Sequence, residues 1–318
     1  MFAENAPVKR YRADKDDELS RDRIDLRKNA LRGSHMGHRY TRDEVEARLR
    51  AVISSGSPII VAGAGNGLSA KCAELGGIDL IVIYNSGKFR MDGLPSICGL
   101  MPYGNANEIV LELGENHVLP AAKKTPVLAG VCGTDPTRNM RKFLVQLREA
   151  GFSGVINYPT ICRFDGNIRR DFESVGLGFA REVEMIATAR DVGLYTTCYI
   201  RTPEEGVQMA QAGVDLIVPH VGLTSGGTIG AGAAMSLDDA ARATQEIIDA
   251  ARAVNSEVIA LAHGGPMEAP EDVAYVLART TAQGFVGASS IERLPVESAI
   301  VGAVRAFKKL TVRSKKQS

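Results

Sequence analysis

What most constrains this chain is an alternation. Eight short, uninterrupted apolar runs recur along it, at 58–62, 80–84, 126–131, 154–157, 194–200, 216–219, 258–262 and 285–288. Such runs suit strands covered on both faces, because each side chain, up or down, then meets another layer. The segments between them carry helix-start chemistry. Thr202-Pro203-Glu204-Glu205 joins a capping box to proline at the first helical position, and Ser236-Leu237-Asp238-Asp239 and Ala269-Pro270-Glu271-Asp272 are similar entries. After the last run, Val296, Ile300, Val301, Val304 and Phe307 form one apolar stripe. Ahead of the first run, Thr41-Arg42-Asp43-Glu44 opens a further helix bearing Val45, Leu49 and Val52. Strand then helix, eight times over, predicts an α/β fold: a closed (β/α)8 TIM barrel with an N-terminal helix before strand one, plugging its bottom.

A barrel of this kind takes about 250 residues, and the chain has 318. The reading is therefore a barrel domain over 39–311, preceded by a charged segment (1–38) and followed by a basic tail (312–318). Residues 1–38 lack apolar periodicity, and Gly33-Ser34-His35-Met36 looks like a cloning remnant, so they are left out of the fold reading. With 38 basic and 37 acidic residues, no polyanionic partner is advertised, and no nucleic acid is expected. No apolar stretch reaches the roughly 20 residues of a membrane span. The five cysteines are far apart and form no C-x-x-C pair, which suits free thiols in a reducing cytoplasm.

Barrel sites form where the strands end, and phosphate is often held after strands seven and eight. The seventh run stops at His263-Gly264-Gly265-Pro266 and the eighth at Ser289-Ser290. Converging backbone N–H groups there suit a phosphoryl group; plain turns and a helix cap are the alternative for Gly264, Gly265, Ser289 and Ser290. The long connections 85–107 and 158–174 lie on the same face, and the glycine-rich stretch 222–235 reads as a closing lid or as a surface loop. Gly63-Ala64-Gly65-Asn66-Gly67 has the wrong spacing for a dinucleotide fingerprint. Asn66, Asn85, Ser86 and Gly87 instead suit a small oxyanion, or simply turns.

No lysine occurs between Lys142 and Lys308, which argues against Schiff-base chemistry. Candidate acids and bases are His220 and His263, one of which would handle a proton, and Glu292, which would position water or pair with an arginine. Asp135 either joins a Mg2+ shell or caps a helix ahead of Pro136. Cys132 and Cys198 read as small buried side chains, and Arg163 and Arg201 as partners for an anion or as ordinary surface groups.

Several stretches together resemble one family. They are Gly65-Asn66-Gly67-Leu68-Ser69-Ala70, Asn85-Ser86-Gly87, Gly93-Leu94-Pro95-Ser96, Pro102-Tyr103-Gly104-Asn105-Ala106-Asn107, His263-Gly264-Gly265-Pro266 and 287–295. The chain from Thr41 to Leu310 resembles the phosphoenolpyruvate hydrolase family of TIM-barrel proteins. That family is related to the phosphoenolpyruvate mutase and isocitrate lyase superfamily, phosphonopyruvate hydrolase included, and its domain forms the C-terminal half of a plant tobamovirus-resistance protein. The resemblance implies a homo-oligomeric hydrolase or lyase acting on phosphonopyruvate or phosphoenolpyruvate through a metal-stabilised enolate, with Mg2+ as cofactor. The superfamily's acidic metal cluster after strand three is absent, since this chain reads Val131-Cys132-Gly133-Thr134-Asp135 there. A non-catalytic, oligomeric ligand- or protein-binding barrel is the alternative, and a metal-free phosphosugar isomerase a third.

Overall fold

A computed structural model describes residues 39–224, 228 and 235–312. The segment 1–38, most of the glycine-rich stretch expected to act as a lid, and the basic tail from 313 lie outside the described residues.

Among the described residues the first element is α1 (Arg42–Ser54), whose Thr41 and Glu44 form the expected capping box. Parallel strands then alternate with helices: β1 (Ile59–Gly63), β2 (Leu80–Ile83), β3 (Val127–Val131), β4 (Gly154–Asn157), β5 (Tyr195–Ile200) and β6 (Leu216–Pro219). The seventh strand comes in two pieces, β7 (Ile259–Ala260) and β8 (Ala262–His263), separated only by Leu261, and β9 (Gly284–Gly287) is the last. β6 pairs with β7, β8 with β9, and β9 with β1, so the split strand completes the cylinder. Each predicted run falls within one residue of an observed strand, and the strands are buried almost throughout.

The N-terminal helix sits at the strand beginnings. Arg42 pairs with Asp215 just before β6, and the hydroxyl of Tyr195, opening β5, donates to Glu46 at 3.0 Å. Val45 and Leu49 join the core against the strands, so α1 closes that end.

The other end is built by the long connections, which are partly helical instead of open loops. α2 (Gly67–Leu75) follows β1, and the connection after β2 contains α3 (Asn85–Met91), a 3-10 turn (Ser96–Leu100) and α4 (Ala106–Leu113). α5 (Met140–Ala150) follows β3, and α6 (Gly166–Ser174) and α7 (Phe179–Asp191) follow β4. The remaining helices are α8 (Pro203–Gln211), α9 (Leu237–Val254), α10 (Pro270–Leu277) and α11 (Arg293–Phe307). α11 differs from the rest: only Arg293 at its start is buried, while Ile300 (59 %) and Phe307 (72 %) on its apolar stripe are exposed.

Candidate active site

A cavity of about 300 Å3 opens at the C-terminal end of the barrel. Ser86, at the start of α3, and Arg90, one turn on, reach it from the β2 side. Ser96 comes from the turn that follows, Tyr158 from the end of β4 and Tyr199 from β5. His220 and His263 arrive from the ends of β6 and β8, and Ser289 and Arg293 from beyond β9. Among the described residues no carboxylate lines the cavity.

Two corners can be distinguished. At the β1–β2–β9 corner Arg90 donates from Nε (3.0 Å) and Nη2 (2.9 Å) to one oxygen of Glu292, whose other oxygen accepts from the Gly65 N–H at 2.6 Å. Both side chains are 1 % exposed. Arg90 Nη1 also reaches Ser96 Oγ at 3.4 Å, which lies 3.5 Å from Ser289 Oγ.

At the β5–β6–β8 corner the rings that face the cavity are neutral. The hydroxyls of Tyr84 and Tyr199 share a 2.6 Å hydrogen bond, and burial raises both pKa values, keeping the phenols protonated. The rings of His220 and His263 stand 4.6 Å apart at 88°, both against Tyr199. Burial lowers His220 well below the imidazole range, helped by His263 and Arg163. Burial also takes His263 down to about 4, against the opposing pull of its hydrogen bond to the Val286 carbonyl. The Nδ1–O distance of that bond is 2.7 Å.

The geometry sorts the sequence-predicted residues. His220, His263, Ser86 and Ser289 share the cavity. Asn85 is buried behind it, its Nδ2 donating to the Gly99 carbonyl and its Oδ1 without a hydrogen-bond partner. Gly87 is spent on close approach, since a Cβ on Gly65 would lie 2.2 Å from the Gly87 carbonyl oxygen. Asn66 caps α2 by accepting from Ser69 N–H at 2.9 Å, and faces a different hollow outside the barrel wall. Gly264 and Gly265, at φ +83° and +59°, form the turn against Gly222, which the second of them contacts through a 3.0 Å hydrogen bond to its carbonyl. They do not line the cavity, and Ser290 Oγ, buried without a partner, does not either. Glu292 has both oxygens engaged, so the expected water-positioning role gives way to the ion pair.

Asp135 lies elsewhere, in a polar hollow with Arg138, Arg141 and Arg181. It is not the cap of α5, which is Asn139; it stabilises the preceding turn by accepting from Thr137 N–H and Oγ1–H at 3.0 and 2.6 Å. Burial raises its pKa, but hydrogen bonds from Thr137, Asn107 and Arg138 outweigh that and lower it. Mg2+ takes carboxylate and water oxygens. Among the described residues no group of three His, Cys, Asp or Glu side chains is placed to hold a metal, and the cavity offers no free acid. The donor set does not fit Mg2+.

Sequence reasoning missed Arg90, Ser96 and the three tyrosines. It also missed Glu182 on α7, whose carboxylate is fully buried. Glu182 accepts from Asn157 Nδ2 (2.6 Å), Thr160 Oγ1 (2.7 Å) and Ile161 N–H (2.6 Å), while Asn157 Oδ1 accepts from Tyr199 N–H at 2.6 Å. Burial raises its pKa to about 7 despite these donors. This net fixes the ends of β4 and β5, and with them Tyr158 and Tyr199.

With the barrel and its cavity defined, comparison with known proteins decides the family. Residues 44–310 match the phosphoenolpyruvate hydrolase-like family model. The chain belongs to that family. The ToMV resistance protein Tm-1(GCR237) of Solanum lycopersicum is 54 % identical over 266 residues, 83 % of this chain but 35 % of that protein. The chain thus spans about a third of the curated relative's length. Among solved structures, phosphoenolpyruvate phosphomutase from Streptomyces platensis subsp. rosaceus has a TM-score of 0.54 at 18 % identity, covering 83 % of this chain and 86 % of its own. A phosphonopyruvate hydrolase complexed with oxalate and Mg++ gives 0.55 at 18 % identity, with the same coverage. At that identity the likeness is one of fold. Among the described residues no helix is long and apolar enough to cross a membrane.

Proposed function

We propose that this member of the family is a hydrolase or lyase acting on a small phosphorylated or phosphonylated 2-oxo acid, phosphonopyruvate or phosphoenolpyruvate. The observation that carries the reading is the cavity itself: about 300 Å3, at the catalytic end of the barrel, ringed by serine hydroxyls and two neutral imidazoles. In this reading Ser86, Ser96 and Ser289 hold the carboxylate and phosphoryl oxygens. Water adds its oxygen to phosphorus while the electron pair of the broken C–P or O–P bond passes into a pyruvate enolate. His263 takes the proton of the water through Nε2 and returns it to the enolate carbon, giving pyruvate and phosphate. Preorganised donors facing a developing oxyanion lower such a barrier by about 3 kcal/mol apiece. Purified protein incubated with either compound is expected to release pyruvate and phosphate; no release from both, with no ligand seen in the cavity, would end the reading.

The apolar stripe of α11 supports action as a homo-oligomer, since a helix so exposed ordinarily finds a cover. A monomer by light scattering would remove that part. The widely spaced, unpaired cysteines support a cytoplasmic setting.

A second reading is a non-catalytic binding barrel, favoured by the unmet metal requirement and by kinship with a virus-resistance protein. Thermal stabilisation by phosphoenolpyruvate or phosphonates without any turnover would select it.

A further inference from the structure

The fold neighbour solved with oxalate also contains Mg++, whereas among the described residues this cavity has no acid to hold such a cation. A different electrophile must then polarise the oxo group of the substrate. The arrangement around His220 supplies one.

Arg163 Nη1 lies 3.3 Å from His220 Nδ1, and the backbone N–H of Gly222 lies 3.3 Å from the same atom. A guanidinium and a peptide N–H can only donate, so Nδ1 must be the acceptor. A neutral imidazole carries one hydrogen, which therefore sits on Nε2. His263 is the reverse case. Its Nδ1 is 2.7 Å from the Val286 carbonyl oxygen, which can only accept, so the hydrogen is on Nδ1 and Nε2 keeps its lone pair. Both Nδ1 edges are tied to protein, and both rings line the cavity.

We propose that the Arg163–His220 couple is the metal-independent electrophile of this site: Arg163 locks His220 as an Nε2–H donor, and that hydrogen bonds the oxo oxygen of the bound 2-oxo acid. Arg163 acts through His220 and is a positioning residue. The groups facing His220 agree with the assignment: Tyr199 and His263 contribute neutral rings, and Arg163 and Arg201 contribute positive charge. Burial and these cations keep the ring neutral, as a fixed donor requires. A positive neighbour at Nδ1 also polarises the N–H on the far side of the ring, strengthening it as an oxyanion partner. The inference rests on the 2-oxo acid reading.

Oxalate, a planar dianion resembling pyruvate enolate, is the probe. By titration calorimetry its affinity is expected to agree within about twofold between EDTA and excess Mg2+, and to fall roughly tenfold in Arg163→Met, with partial recovery in Arg163→Lys. The chain has only five histidines, so selective 15N-histidine labelling, with His220→Gln for assignment, reads the tautomers directly. His220 is expected as the Nε2–H form in wild type and as a mixture in Arg163→Met, a change that mere structural support would not produce. Should Arg163→Met fail to fold, the wild-type tautomer and the Lys variant still decide. An Nδ1–H or doubly protonated His220, or oxalate binding that needs Mg2+, overturns the inference and leaves the 2-oxo acid reading standing. No oxalate binding under either condition removes that reading, and the electrophile with it.

Discussion

The two corners of the cavity solve opposite problems. At β1–β2–β9, charge is concentrated and cancelled: Arg90 and Glu292 meet at 2.9 Å with side chains 1 % exposed, and the Gly65 N–H takes the remaining carboxylate oxygen. At β5–β6–β8 the rings that face the cavity are neutral, and two imidazoles 4.6 Å apart are tied at Nδ1 by opposite kinds of partner, the Arg163 guanidinium for His220 and the Val286 carbonyl for His263. A buried ion pair is committed first to its own partners, whereas a neutral ring tied at one nitrogen keeps the other for chemistry. The comparison assigns stiffness to the first corner and reactivity to the second.

The strongest way to break the contrast is to unpair the charged corner. Arg90→Met leaves Glu292 buried without its cation, and a loss of roughly 3–5 kcal/mol is expected in denaturant unfolding. A change below about 1 kcal/mol would mean that the pair is not the brace described.

The pH dependence of stability sharpens the contrast, because two buried groups titrate with opposite sign. Glu182 is held near 7 in the fold against an ordinary 4.5. The unfolded chain therefore ionises first as pH rises, so stability is intact below 4.5 and declines towards 7, by roughly 3 kcal/mol. Glu182→Gln should abolish this limb, though unpaired donors will lower the plateau. His263 is held near 4 against an ordinary 6.5. Here the unfolded chain takes up the proton first as pH falls, so stability is intact above 6.5 and declines towards 4, by about 2 kcal/mol at pH 5. His263→Gln should make the acid limb shallower, with His220 keeping its own share of it, as read by midpoints of urea unfolding across the pH range. A wild-type curve without either slope would contradict both burials.

The smallest effect is expected where the corners meet. Ser289→Ala removes one hydroxyl from the cavity wall and should weaken oxalate about fivefold, near 1 kcal/mol, without altering stability. An unchanged affinity would take Ser289 out of the ligand's reach.

The barrel was legible because strand burial leaves a composition signature: every side chain of β2 or β6 meets another layer, so the runs are apolar without interruption. His220 and His263 were legible for the same reason, as polar residues ending such runs. Of Asn85-Ser86-Gly87, read as an oxyanion grip or a turn, only Ser86 lines the cavity, because the fold uses the three as the first turn of α3 and points Asn85 and Gly87 elsewhere. Glu182 was invisible: on an amphipathic helix it looks like any solvated acid, and only the tertiary placement of Asn157 and Thr160 makes it a buried acceptor. Arg90 was hidden likewise, one helical turn from Ser86 but paired with a residue some two hundred positions away. Asp135 was read through its neighbour Pro136 as a helix cap or metal ligand, and the helix begins four residues later than that motif implied.

The helix that stoppers the strand beginnings carries a kinetic corollary. With Arg42, Tyr195 and Val45 sealing one mouth, whatever visits the interior must arrive and depart through a single doorway. On the proposed 2-oxo acid reading turnover would be a queue, in which a departing phosphate or pyruvate obstructs the next arrival, and product inhibition relieved by substrate is the expected outcome of initial-rate measurements.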